Sequence, residues 1–262
     1  MSRANDNGLT PEQFCQYQSV GITFPVRVMS SVEARRFRTD FEKLEFMMHR
    51  PLEYAAMTHL YFDWAYDLAT WPKIVDAVEQ ILGPDVLVQG TLILCKHAND
   101  PSFVKWHQDF HYTNWNNSPA VSTWVALSDS TSQSGCLRVI PGSHNRGVLS
   151  HTDAKIEHNM LTYSVEIEGT EAIAVELQAG EMSLHQPDMI HGSAPNQSED
   201  MRLGFIIRFV TPKFRQNQNP VIRARGSESC RHLAEVKRPS GNNLEYSVAA
   251  WREFAEERNF LK

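Results

Sequence analysis

A histidine and an aspartate lie two residues apart in the aromatic run from Val104 to Tyr112, VKWHQDFHY. On a strand, residues i and i+2 face the same side, so His107 and Asp109 would converge while Gln108 points away. An imidazole nitrogen and a carboxylate oxygen on one face are typical metal ligands. The spacing therefore predicts two ligands of a metal site on a strand.

The third ligand must come from elsewhere in the chain. The segment GEMSLHQPDMIHGSAPN offers His185 and His191. We select His191 because it is followed by a glycine and a serine, which let the backbone and a ligand approach closely. Two histidines and one carboxylate form the facial triad that leaves three positions of an Fe(II) ion open.

Arg202 follows His191 by eleven residues and begins the apolar strand pattern RLGFIIRFV. A turn through PNQSED is expected to return the chain beside His191. A guanidinium is a rigid fork suited to a carboxylate, and an arginine buried in an apolar barrel requires an anion. A dicarboxylate that chelates iron at one end and meets Arg202 at the other satisfies this need, and 2-oxoglutarate fits.

Two further residues share these facings. His111 lies two residues beyond Asp109, and a fourth protein ligand would block oxygen, so we expect His111 to line the substrate pocket or to bond locally. Arg208 shares the facing of Arg202 by even spacing. It is expected either to reach the pocket or to form a salt bridge.

Helical patterns fill the N-terminal third. Thr10, Pro11 and Gln13 form a helix-start signature with a capping box. A second helix is predicted over 72–82, which begins with proline and stops at Gly83-Pro84.

A longer helical pattern opens at Ser31 and runs to His49. Its apolar positions recur at helical spacing: Val32, Phe37, Phe41, Leu44 and Met47 or Met48. This helix is expected to cover one side of a sheet.

From Asp85 the sequence pattern changes to short apolar or alternating runs separated by turn residues. Such runs favour a closed or sandwiched β unit over a βαβ sheet. With no internal repeat and no low-complexity linker, one domain over 1–262 is expected. It would comprise a helical part at about 9–83, a β core at about 85–212 and an extension at 213–262 that ends in an amphipathic helix, VAAWREFAEERNF.

Composition excludes several classes. The 262 residues carry a net charge of −6 and no long basic run, so nucleic acid is not an expected partner. No apolar run reaches the length of a membrane helix, and the N-terminus lacks the apolar region of a signal peptide, so we expect no membrane partner and a cytoplasmic protein. The four cysteines lie far apart and suggest neither a disulfide framework nor a zinc site.

Three stretches carry a family resemblance: WHQDFHYTNW, STWVALSDSTSQSGCLRVIPGSHNRG and HGSAPNQSEDMRLGFIIRFV. They closely resemble the phytanoyl-CoA dioxygenase family of Fe(II)/2-oxoglutarate oxygenases, as does the opening LTPEQFCQYQSVGITFPVRVMSSVEARRF. The likeness fades after about residue 215. It implies a mainly β fold with helical cover, a double-stranded β-helix or jelly roll.

The resemblance also implies roles for individual residues. The iron ligands would be His107, Asp109 and His191, and Arg202 and Ser193 would bind the distal carboxylate of 2-oxoglutarate. Trp124 and Lys96 stand at positions that contact this co-substrate in some members, and Gln89 falls near a position that touches substrate. Related halogenases have alanine or glycine where Asp109 stands, so hydroxylation, or another oxidation such as desaturation, is implied, with dioxygen as the oxidant and succinate and CO2 as products.

Substrate identity follows less directly. The segment from His49 to Thr70 is rich in aromatics and methionine, which suits either the mouth of a pocket for a small apolar molecule or packing of helix against sheet. No basic stripe suggests docking to coenzyme A or an acidic carrier, so a free small molecule is preferred.

Two other function classes fit parts of the pattern. One is a non-redox cupin-like isomerase or binding protein, which would have no need of Arg202 as a dicarboxylate clamp. The other is a zinc hydrolase with the same three ligands, for which no general base is evident.

Overall fold

The structure, a computed structural model, describes residues 8–109, 118–167, 171–215, 220–240 and 243–258. Its α-helices are α1 (Pro11–Val20), α2 (Ser31–Met48), α3 (Asp63–Ala69), α4 (Pro72–Leu82) and α5 (Leu244–Glu257). The predicted capping box of α1 is present, since Thr10 and Gln13 each accept a hydrogen bond from the other's backbone. Helix α4 has the predicted bounds. No helix in the described ranges is long and apolar enough to cross a membrane.

Helix α2 differs from its prediction at the first turn. The helix begins at Ser31, where the predicted pattern opens, and Ser30 and Glu33 form a capping box at its start. Val32 was predicted on the apolar face but is 65% exposed, so that prediction is wrong. The buried face is formed by Ala34, Phe37, Phe41, Leu44 and Met48.

Thirteen strands lie in the described residues. They are β1 (Ile22–Arg27), β2 (Tyr54–Ala56), β3 (Val86–Lys96), β4 (Val104–His107), β5 (Ala120–Ala126), β6 (Leu137–Val139), β7 (Thr152–Asp153), β8 (Tyr163–Ser164), β9 (Ile173–Val175), β10 (Glu181–His185), β11 (His191–Ser193), β12 (Arg202–Val210) and β13 (Ile222–Arg225).

These strands form two main antiparallel sheets. The large sheet has the order β1-β10-β5-β12-β3-β13, with β2 also paired to β3, and the small sheet has the order β4-β11-β6-β9. Strands β7 and β8 pair as a separate ribbon. The predicted double-stranded β-helix with helical cover is confirmed.

The two faces of the large sheet have different neighbours. Along β12, Leu203, Phe205 and Ile207 pack in one cluster with residues of the helices, including Phe41 and Trp251. Ile206 points the other way and packs in a second cluster with Leu92 and Trp124 of the same sheet. This cluster also contains Leu137 of the small sheet. The space between the two sheets is therefore lined by alternate residues of each strand.

The large sheet also takes strands from outside the predicted core range. Strands β1 and β2 come from the helical N-terminal part, and β13 comes from the C-terminal extension. In the segment from His49 to Thr70, packing against the sheets is observed, and a place at the mouth of a pocket stays a prediction. Tyr54 and Met57 pack with the inner cluster, whereas Phe62 and Trp64 pack beneath the helices.

Candidate active site

Two histidines face each other on neighbouring strands of the small sheet. His107 ends β4 and His191 begins β11, and the two are direct partners in the antiparallel register. Asp109 lies two residues beyond the end of β4, so its predicted position on the strand is wrong, although Gln108 does point away. One ligand atom from each of His107, Asp109 and His191 lies within 4.8 Å of the others, and all three residues are buried.

Both imidazoles have one nitrogen fixed by the backbone. The Nδ1 atom of His107 lies 3.0 Å from the carbonyl oxygen of Lys105, and that of His191 lies 2.9 Å from the carbonyl oxygen of Met189. Because a carbonyl only accepts hydrogen bonds, Nδ1 carries the proton and Nε2 keeps its lone pair. Burial lowers the pKa of His107 to about 4, and burial together with the charge on His107 holds the pKa of His191 well below its usual value.

Asp109 is fixed through both carboxylate oxygens. Ser122 on β5 donates its hydroxyl to Oδ2 at 2.7 Å, and Arg208 on β12 donates Nη2 to Oδ1 at 3.0 Å. Burial by itself would raise the pKa of Asp109, but the positive charge of Arg208, with the neighbouring histidines, outweighs it and holds the pKa well below its usual range. Asp109 is therefore a carboxylate throughout the physiological range.

Gln108 fixes the same segment from the outside. Its side-chain amide is fully buried and donates Nε2 to the carbonyl oxygens of Gly147 (2.8 Å) and Asp188 (2.7 Å). Its Oε1 accepts the backbone N–H of Leu149 at 2.8 Å. Asp188 lies three residues before His191, so Gln108 joins the segment between the first two ligands to the approach to the third.

His185, the alternative third ligand, lies close but outside this cluster. Its Nε2 is 3.7 Å from Asp109 Oδ2, and its ring centroid is 4.9 Å from that of His191. It belongs to β10 in the large sheet, opposite Ser122 in the register.

Arg202 lies on the other sheet from His191. The chain crosses from β11 in the small sheet to β12 in the large sheet, where Arg202 pairs with Lys96, so the predicted return beside His191 is wrong. Arg202 is 2% exposed, and its Nε and Nη2 atoms have no hydrogen-bond partner among the described residues. Its guanidinium lies 5.4 Å from the ring of Trp124, and burial lowers its pKa to about 10. The arginine therefore enters the space between the sheets as a cation with unused donors.

Lys96 and Ser193 join the two sheets beside Arg202. Lys96 Nζ donates to Ser193 Oγ at 2.7 Å and to the Ala194 carbonyl oxygen at 2.5 Å. Burial, with the nearby charge of Arg202, lowers the pKa of Lys96 to about 6. At neutral pH this amine is therefore mostly uncharged.

The remaining predicted residues have separate positions. Gln89 is 6% exposed and lies in β3 at the register shift opposite Arg208 and Phe209. Arg208 forms a salt bridge to Asp109, one of the two outcomes expected for it, and a place in the substrate pocket stays a prediction. His111 lies outside the described residues.

Sequence reasoning missed two residues that fix the site. Ser122 carries a detectable signal, because it lies two residues before Trp124 on the same strand and therefore shares its facing. Gln108 carries none, because its three partners lie 39 to 80 residues away in the chain.

Comparison with known proteins adds to this geometry. The family model of phytanoyl-CoA dioxygenase matches residues 20–204. Peroxisomal phytanoyl-CoA dioxygenase of Homo sapiens is 25% identical over an alignment 276 residues long. The alignment covers 93% of this chain and 76% of that protein.

Solved structures give the same relationship. The apo structure of the non-heme monooxygenase ThoJ is 27% identical with a TM-score of 0.78, and the match covers 93% of this chain and 95% of that one. CytC3 with Fe(II) and alpha-ketoglutarate is 20% identical with a TM-score of 0.65 over 88% of this chain and 95% of that one, which shows a shared fold.

Proposed function

We propose that this chain, which belongs to the phytanoyl-CoA dioxygenase family and is an Fe(II)- and 2-oxoglutarate-dependent dioxygenase, hydroxylates an unactivated C–H bond of a small-molecule metabolite. Succinate and CO2 are the accompanying products. The single observation that carries the proposal is the pairing of a His-Asp-His cluster with a buried arginine whose donors are unused.

The metal would be held by the Nε2 atoms of His107 and His191 and a carboxylate oxygen of Asp109. The donor set fits Fe(II), because two neutral imidazoles and one carboxylate leave positions open for other ligands. The backbone carbonyls that fix both Nδ1 protons orient the rings before any metal arrives. Ser122 and Arg208 do the same for Asp109.

The distal carboxylate of 2-oxoglutarate would be bound by Arg202, with Ser193 and Lys96 beside it. Arg202 fits this role because a guanidinium buried without an anion is costly, and a carboxylate would satisfy its free Nε and Nη2. Lys96 would take up a proton and donate to the same anion. Trp124 supports the guanidinium through its ring face.

Iron, 2-oxoglutarate and dioxygen supply, when bound, the oxidising power to insert one oxygen atom into a C–H bond, coupled to decarboxylation of the co-substrate. The chain's own residues position the substrate and limit water. Tyr54 and Met57 contribute apolar surface at the inner cluster, and Gln89, His111 and Arg208 would contact the substrate. The apolar lining limits the entry of water, which could otherwise take part in side reactions at the site.

The alternative functions receive less support. A non-redox isomerase or binding module gives no reason for a buried, unpaired Arg202. A zinc hydrolase needs a general base close to the metal, and the described residues place Asp109, the one buried carboxylate there, among the ligands.

An anaerobic titration tests the proposal. Fe(II) and 2-oxoglutarate are added to metal-free protein, and we expect a weak visible charge-transfer band. Asp109→Ala should lose the band, Arg202→Ala should need much more 2-oxoglutarate, and Arg27→Ala, a partly exposed arginine on β1, should match the wild type. Iron binding without any band in the wild type would contradict the co-substrate assignment. A substrate screen then measures succinate release and a product mass gain of one oxygen.

A further inference from the structure

Two arginines on strand β12 face the space between the sheets. One lies at the start of the strand and the other lies near its end. Arg202 and Arg208 share a face of β12 and are six residues apart, which corresponds to roughly 20 Å of strand. Arg202 pairs with Lys96 in the register, whereas Arg208 pairs with Gly90 on one side and Ser122 on the other. A single co-substrate whose distal carboxylate binds Arg202 therefore leaves Arg208 beyond the metal ligands.

Arg208 keeps donor capacity after its contact with Asp109. Arg208 donates to Asp109 through Nη2, and its buried Nε atom has no partner among the described residues. The Arg208 side chain is 19% exposed, unlike Arg202, which is 2% exposed as a residue. Part of the Arg208 side chain is therefore open to solvent, whereas Arg202 is enclosed.

The strand neighbours of Arg208 are small residues. Ser122 is small, and Gly90 has no side chain. A Cβ placed on Gly90 would meet only Met57 Sδ, at 3.3 Å, among the described residues. The two strand positions paired with Arg208 thus hold small residues, and the flexible Met57 side chain covers the one at Gly90.

Arg208 would keep no anion of its own once the metal and the co-substrate are bound. The two charges of Fe(II) are matched by Asp109 and by the carboxylate of 2-oxoglutarate that chelates the metal, and Arg202 is matched by the distal carboxylate. Once Asp109 shares its charge with the metal, Arg208 has lost most of its counterion. Among the described residues, the ionisable groups that act on Arg208 are Asp109 and Tyr54.

We infer that Arg208 is the recognition point for a carboxylate on the substrate, bound on the opposite side of the metal from 2-oxoglutarate. The substrate class is thus a small carboxylic acid with an apolar body that contacts Tyr54 and Met57. The planar guanidinium suits a planar carboxylate, and its contact with Asp109 links substrate position to the metal ligand. This inference rests on the proposed function.

A matched pair of probes tests it without turnover. Protein loaded anaerobically with Fe(II) and 2-oxoglutarate is titrated by calorimetry with hexanoate and with its uncharged counterpart hexanamide. We expect hexanoate to bind at least about tenfold more tightly than hexanamide. Arg208→Gln should remove this preference, Arg208→Lys should keep part of it, and the control Arg27→Gln should keep all of it.

The same samples separate this inference from the proposed function. The dissociation constant of 2-oxoglutarate should change less than about threefold in Arg208→Gln. A large weakening of 2-oxoglutarate with no loss of hexanoate preference would assign Arg208 to the co-substrate and overturn the inference. Equal binding of the two probes by the wild type, or no hexanoate binding, also overturns it and needs no variant. Absence of 2-oxoglutarate binding in the wild type would be a failure of the proposed function instead.

Discussion

His107 and His191 lie directly opposite each other on antiparallel strands, and each donates its Nδ1 proton to the carbonyl oxygen two residues before it. The ring centroids are 4.0 Å apart. This arrangement directs both Nε2 lone pairs to the same point and fixes one tautomer in each ring.

Metal affinity should therefore depend little on pH near neutrality. Protons compete with metal for Nε2, and burial lowers the pKa of His107 to about 4, so competition begins only as the pH falls towards that value. We expect Mn(II) affinity, measured by the EPR signal of the free ion, to change less than about threefold between pH 6 and 8. Ordinary imidazoles, with a pKa of about 6.5, would give a clear decline below pH 7, and such a decline would contradict the assigned environment.

Gln108 should control metal affinity although its side chain points away from the metal. Gln108→Glu replaces an amide donor with a carboxylate that faces the carbonyl oxygens of Gly147 and Asp188. We expect Mn(II) affinity to fall by about 10- to 100-fold, since positioning residues around metal ligands have effects of this size. Gln18→Glu, on the exposed side of α1, controls for the added charge. Unchanged affinity in Gln108→Glu would show that these three bonds do not position the ligands.

Replacement of Gly204 should weaken co-substrate binding. A Cβ at Gly204 would lie 2.1 Å from Trp124 Cζ2, so the indole must shift in Gly204→Ala, and with it the ring face that supports Arg202. We expect 2-oxoglutarate affinity to fall by about tenfold, measured by calorimetry with Mn(II)-loaded protein. Gly90→Ala is the matched control, because its Cβ meets only the flexible Met57 side chain. An equal loss in both variants would point to a general packing defect.

Lys96 should make stability depend on pH. Its pKa is about 10.4 in the unfolded chain and is lowered to about 6 by burial in the folded protein. Between these values the unfolded state binds more protons, so this residue makes the free energy of unfolding increase as pH rises, by at most about 1.4 kcal/mol per pH unit.

Urea unfolding of wild type and Lys96→Met, without ligands, measures this contribution. The stability of the wild type relative to the variant should increase by about 1 to 3 kcal/mol from pH 7 to 9. Lys73→Met, at an exposed position of α4, should show no such trend. A stability difference that stays constant with pH would mean that Lys96 is charged in the folded protein.

Local patterns predicted the parts of the fold that depend on neighbouring residues. Helix α4 has its predicted bounds because proline opens it and Gly83 ends it. Strand β12 matches its apolar run from Arg202 to Val210. Val32 was misplaced because it lies five residues before Phe37, which turns it about 140° away from Phe37 on the buried face.

Contacts between distant segments could not be read from the sequence in this way. The spacing of His107, Asp109 and His191 indicated a ligand set, but the sheet to which Arg202 belongs depends on how β12 pairs with β3 and β5. Even spacing predicted that Arg208 faces the inside of the fold. Its partner, Asp109, could not be predicted, because Asp109 lies in the segment after β4 and not on the strand.

The contacts of Lys96 with Ser193, and of Asp109 with Ser122 and Arg208, run from one sheet to the other. The proposed metal ligands come chiefly from the small sheet, and the groups facing the co-substrate come chiefly from the large one. An occupied site would thus act as a non-covalent crosslink between the two walls of the barrel. This crosslink would add to the apolar packing of Ile206 and Trp124 against Leu137, so an occupied site would hold the two sheets more firmly together.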